Sequence, residues 1–283
     1  MSVFKYAIKE MIQESKSIYG PCSFQDYLKS NNINNQRTAS FISVDAYEVL
    51  NRELRENNTM VLRIGVSLSN NTQFALVKPN LPIIDEYFLS DEQLFTDIKG
   101  STFLPTASYK QLFGFNLLPS LSETTLVNLG LASGIISAAL NLDNYEIPLA
   151  PSTGKSTFSF NLNLHSEYNY EVLHNNGQVE VDAIFIEKRN GKESVFVLEA
   201  KSNSSYKSLA KHKLVYPILA IASKVPKDME IIPVYIKVFN NSEGLHYHIL
   251  ECSFPDPRIE TRAINELKPV KHNHLILPFF QEL

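Results

Sequence analysis

The sequence predicts a mixed α/β (α+β) fold, on three observations. From Gln178 to Lys201 two apolar segments flank a turn. Val179, Val181, Ala183 and Phe185 alternate with other residues, Val195 to Leu198 is continuously apolar, and Asn190-Gly191 between them is a strong hairpin cue. Helical periodicity brackets this hairpin, over Leu121–Leu142 before it and about Ser205–Ser223 after it. Two further apolar alternations, Ile231–Phe239 and Leu245–Cys252, are joined by Asn240-Asn241-Ser242-Glu243-Gly244. With Phe158–Leu164 as a strand ahead of the hairpin and a last strand near His274–Pro278, the C-terminal half reads helix, three strands, helix, two strands.

The N-terminal part reads differently. Phe4–Tyr19 carries a helical stripe of Phe4, Ala7, Ile8, Met11 and Ile12, and Gly20-Pro21 ends it. Ser23-x-x-Asp26 opens a short helix through Leu28, and Asn31–Arg37 is turn-like. Val44–Glu56 reads as a second helix with Val44, Tyr47, Leu50 and Leu54 inward. Met60–Val66 and Gln73–Val77 form a hairpin across Ser67–Asn71. Helices followed by a hairpin resemble a winged-helix module, which binds DNA through one helix and the wing. Gln36, Arg37, Asn51, Arg52, Arg55 and Arg63 are then its candidate contacts; packing or dimerisation is the other use of such a module. The expected division is residues 1–80, an irregular Pro-containing connection over 81–119 that includes the acidic piece Asp91–Asp97, and a domain over 120–283.

Composition excludes several classes. The 283 residues are 44% hydrophobic and 20% charged, as in an ordinary globular protein. No run approaches the roughly 18 apolar residues of a membrane span. The N-terminus lacks the continuous apolar stretch of a signal peptide, and Cys22 and Cys252 are too few and too distant for a disulfide framework. A cytoplasmic protein without membrane contact is expected. The net charge of −4 does not announce a nucleic-acid partner, but Lys201–Lys227 holds six lysines and no acid. That run, with Lys207, Lys211 and Lys213 foremost, suits a phosphate backbone or a solvated helix face. Ser152–Thr157 is not a P-loop, since the first glycine would fall at residue 149, which is Leu.

Acids within the hairpin need a reason. Asp182 sits mid-strand between Val181 and Ala183, and Glu199 follows the run Val195–Leu198. Period two puts Lys201 on the face of Glu199. Two carboxylates held close repel, and a hard cation such as Mg²⁺ removes the conflict while keeping waters that serve as nucleophiles. The lysine then positions or activates that water, or stabilises charge on phosphorus.

Asp182 followed by Glu199-Ala200-Lys201 resembles the D…(D/E)-x-K signature of the PD-(D/E)XK nuclease superfamily, with Val181 where the familiar Pro stands. The resemblance implies an αβββαβ core, like that of restriction endonucleases, over roughly residues 120–252. It implies Asp182 on the second strand and Glu199 and Lys201 on the third, with Asp182, Glu199 and the Ala200 carbonyl ligating Mg²⁺. Together with the winged-helix-like module, the chain is most similar to a type II restriction endonuclease: a homodimer cutting double-stranded DNA at a specific sequence, paired functionally with a DNA methyltransferase. A structure-specific or repair nuclease, or a non-catalytic DNA-binding protein on a nuclease-like fold, are the other readings. Glu123, in the first turn of its helix, and Glu180, on the face of Asp182, are candidates for the metal shell, with an exposed polar residue as the other reading of Glu180. His246-x-His248 and His272-x-His274 read as surface histidines, with zinc as the lesser alternative for want of a third ligand.

Overall fold

The computed structural model describes residues 3–34, 37–96, 98–105, 107–117, 120–144, 149–203 and 205–279. Its centre is a strand of unusual length, β7 (Tyr168–Arg189). On one edge β7 pairs antiparallel with β6 (Ser152–His165). On the other it pairs antiparallel with β8 (Lys192–Ser202), and Asn190 and Gly191 between them both have positive φ, as a tight hairpin turn with right-handed strand twist requires. β8 then pairs in parallel with β10 (Glu230–Asn241), reached through the helix His212–Ala222. β11 (Gly244–Ser253) and β12 (Lys268–Leu277) continue antiparallel, and the short β5 (Ser101–Thr102) closes that edge.

β8 is buried from Ser194 to Ala200, so both of its faces must be covered. Phe196, Leu198 and Ala200 pack with Leu126, Val127, Ile135 and Ile136 of the helices Glu123–Ala132 and Ile135–Ala139. Val195 and Val197 pack with Ile218 and Ala222 of His212–Ala222. The expected helix Leu121–Leu142 is therefore two helices, broken at Gly134 (φ 85°). The cluster of small residues does mark close packing: a Cβ on Gly130 would lie 2.5 Å from Ile136 Cδ1 and 3.0 Å from Tyr247 Cε1. The expected helix from Ser205 starts later, because Ser208–Ala210 forms β9 against β4 (Phe88–Ser90).

The N-terminal region departs most from expectation. The first helix spans Lys5–Gln13 only, and Ile18–Ser23 is β1, antiparallel to β3 (Thr72–Val77). Val44–Glu56 is not one helix. It holds a 3-10 turn, Tyr47–Val49, and a short helix, Arg52–Glu56, which the Asn51 carboxamide caps by accepting from the Glu53 amide. The hairpin is present, but β2 (Met60–Val66) is buried and joins the main sheet through a parallel bridge from Gly65 to Asn175. Gly65 (φ 60°) is required there, since a Cβ would meet the Asn175 carbonyl oxygen at 2.2 Å. The hairpin is thus part of the sheet and not a free wing.

Packing shows no break at residue 80. One core runs from Phe4, Phe24 and Phe74 through Tyr87, Leu89 and Phe95 to Leu164, Leu214 and Tyr235. The segment expected as a connection contributes to it. Asp91 is fully buried, accepts from the Tyr235 hydroxyl at 2.8 Å and lies 3.0 Å from the equally buried Lys237 ammonium. Among the described residues no helix is long and apolar enough to cross a membrane.

Candidate functional site

The ladder between β7 and β8 ends at Ala183–Leu198. One residue beyond, on each strand, stand Asp182 and Glu199. Asp182 Oδ2 accepts from the Ala200 amide at 2.9 Å, which pins the carboxylate against β8. Glu199 is 1% exposed. Its Oε1 lies 2.9 Å from Lys201 Nζ and 3.4 Å from Lys213 Nζ, while Oε2 has no hydrogen-bond partner among the described residues. Period-two geometry accounts for Lys201. Lys213 arrives from the first turn of His212–Ala222, which crosses the same face of β8. From the opposite face, Glu123 at the start of Glu123–Ala132 places Oε2 3.5 Å from Lys201 Nζ and accepts from the Ser202 amide at 3.1 Å. Three carboxylates and two ammoniums therefore meet at one end of the hairpin.

Electrostatics follow from burial. Desolvation pushes the Glu199 carboxyl up to about 7; Lys213 and Lys201 pull it down and Asp182 pushes it up. Burial alone would lower Lys201, but Glu199, then Glu123 and Asp182, outweigh it and hold the ammonium above its ordinary value. Lys213 is held up in the same way, against burial, by Glu199 and Asp45.

The donor set fits a hard cation on the terms of two carboxylates plus a carbonyl and waters. The orphaned, buried Glu199 Oε2 is the specific observation, since an unpaired carboxylate oxygen away from water is costly. Among the described residues no group of three or more His, Cys, Asp or Glu side chains is arranged to hold a metal ion. A site with two carboxylates does not need one.

The other expected contacts fall out as follows. Lys213 belongs to the site, its ammonium 3.4 Å from Glu199 Oε1. Lys211 is a correction: it is 2% exposed and its ammonium donates to the Asp85 carbonyl at 2.8 Å, so it has no face to offer DNA. Lys207 is exposed. Arg37 is exposed, Arg52 is exposed and paired with Glu56 at 2.7 Å, and Arg55 is half-buried over the Tyr47 ring. Gln36 lies outside the described residues. Glu180 is exposed and lines a cavity next to the site. The histidines of β11 and β12 are not ordinary surface residues. His246 Nδ1 meets His274 Nε2, and His248 Nδ1 meets His272 Nε2, each at 3.0 Å, with His248 fully buried.

Glu123 was legible as an acid in a helix's first turn, but Lys213 carried only a weak signal, a lysine opening an otherwise apolar helix. No curated protein and no solved structure matches the chain. A family model described as Domain of unknown function (DUF6997) matches residues 90–275, a span that holds Glu123, Asp182, Glu199, Lys201 and Lys213, and the chain belongs to that family.

Proposed function

We propose that the protein is a Mg²⁺-dependent endonuclease of the PD-(D/E)XK type that hydrolyses phosphodiester bonds of double-stranded DNA, acting as a homodimer of restriction type beside a DNA methyltransferase. The observation that carries this reading is the buried Glu199 carboxylate, with a free oxygen, next to Asp182 and 2.9 Å from Lys201. The order β6-β7-β8-β10 supports it: antiparallel, antiparallel, then parallel through a helix, with a helix pair on the other face.

Asp182, Glu199 and the Ala200 carbonyl would hold Mg²⁺, which would supply charge neutralisation and a bound water that gives up a proton more readily and so attacks phosphorus as hydroxide. Asp182 is already oriented by the Ala200 amide, so its position costs little to maintain. Lys201 keeps its proton because Glu199 and Glu123 hold it. Its role would be to position or activate the attacking water, or to stabilise charge on a phosphate oxygen. Glu123 orients Lys201 from behind.

Plasmid cleavage tests this. Wild type should cut supercoiled DNA with Mg²⁺ and not with chelator, giving discrete fragments. Asp182→Ala should not cut, and Lys201→Ala should bind DNA but cut at least about a hundredfold slower in single turnover. Cleavage by Asp182→Ala within about tenfold of wild type would refute the assignment.

A further inference from the structure

Beside the carboxylates lies a cavity of roughly 300 Å³, lined by Asp45, Arg63, Lys155, His174, His212 and Lys213 among others. It shares Lys213 with the site, and Glu180 on its wall stands two residues before Asp182 on β7. Its lining residues Arg63, His174 and His212 carry buried polar atoms without partners among the described residues. Among the described residues the half-buried Arg63 guanidinium has no hydrogen-bond or ion-pair partner, and its Nε is buried. His174 Nδ1 and His212 Nδ1 are buried without partners too. The carboxylates that line the cavity, Asp45 and Glu180, are exposed and neither pairs with Arg63.

A half-buried guanidinium without a counter-charge is an arrangement that an anion would relieve. Its planar fork of donors matches the oxygens of a phosphate. Burial, with Lys213 next for His212 and a small Arg63 contribution for His174, lowers both imidazoles to about 4. They are neutral at physiological pH and add no charge beside Arg63. We propose that this cavity is a phosphate subsite, anchored by Arg63, that seats a backbone phosphate of the nucleic acid next to the scissile one. This rests on the nuclease reading. Arg63 lies outside the family-matched span, and the Gly65–Asn175 bridge holds its strand against β7, so the N-terminal sheet would complete the site.

The probe is thymidine 3′,5′-bisphosphate, titrated calorimetrically in chelator so that no metal contributes. Wild type should bind saturably, Arg63→Gln roughly tenfold or more weaker, Arg63→Lys in between, and the exposed control Lys9→Ala within about threefold of wild type. The Arg63 Nε–H resonance of the wild-type protein should shift during the same titration, a readout that does not depend on how a variant folds. No saturable binding by wild type, equal binding by Arg63→Gln, or an unmoved Arg63 resonance at saturation would each overturn the subsite. Plasmid cleavage by wild type is scored separately: Arg63-dependent binding without cleavage keeps the subsite and removes the nuclease reading, whereas cleavage without bisphosphate binding does the reverse.

Discussion

Glu199→Gln separates the cost of burying this carboxyl from the rest of the fold. Burial lifts the group to about 7 from its ordinary 4.5. Between those values the folded chain holds a proton that the unfolded chain has released. A raised folded-state pKa means that the stabilising contribution is complete below the unfolded value and is lost as pH rises through the folded one. At ~1.4 kcal/mol per pH unit the whole interval amounts to about 3 kcal/mol, of which about 2.5 kcal/mol falls between about pH 5 and about pH 8. Lys201 and Lys213 stay protonated throughout this window and do not contribute to the slope. The assay is urea unfolding of wild type and Glu199→Gln in chelator across that range. The difference between the two should decline with pH by about 2.5 kcal/mol, wild type losing ground. A difference that stays flat within about 0.5 kcal/mol would refute the reasoning, because Glu199 would then titrate like a solvated acid. Under the proposed function Mg²⁺ requires the ionised form, so its affinity should rise as pH approaches about 7 and level above it.

Three other perturbations follow from the packing. Asp91→Asn leaves the buried Lys237 without its counter-charge and should cost about 3–5 kcal/mol in urea unfolding; a loss under about 1 kcal/mol would show the pair to be solvated. Under the proposed function, Lys211→Ala should lower stability without changing the salt dependence of DNA binding, whereas Lys207→Ala should reduce the log–log salt slope by about one; the opposite pattern would contradict the burial of Lys211. Gly130→Ala should destabilise by about 1–3 kcal/mol despite alanine's better helix propensity, and Ile136→Val in the same chain should recover part of the loss.

What the sequence shows clearly is local. The hairpin, its Asn-Gly turn and the shared face of Glu199 and Lys201 all follow from period two and one turn chemistry, with no distant contact needed. The stripe Val44, Tyr47, Leu50 and Leu54 misleads because apolar spacing does not report backbone: the chain is extended at Ala46, and Asn51 caps a new helix. Val44, Leu50 and Leu54 are buried there by tertiary packing. Lys211 and Lys213 stand two apart in one basic run, yet one answers to a carbonyl at Asp85 and the other to a carboxylate on β8. Those partners are set by topology, which no window around the lysines contains. Asp91 is misread for the same reason, since Lys237 reaches it from β10.

The length of β7 has a bearing on how the chain folds. Three neighbours claim it: β6 along nearly its whole course, β2 at Asn175, and β8 from Ala183 onward. Neither half of the sheet can finish without it, so the two should melt together in a single transition. A fragment cut to the family-matched span would lose β1, β2 and β3 and uncover Leu164, Val172 and Leu214, which pack in one core with Leu62, Ile64 and Phe74. It would also leave part of one edge of β7 unpaired, a template for aggregation. The N-terminal residues are on this account a folding requirement of the C-terminal half, whatever they touch besides.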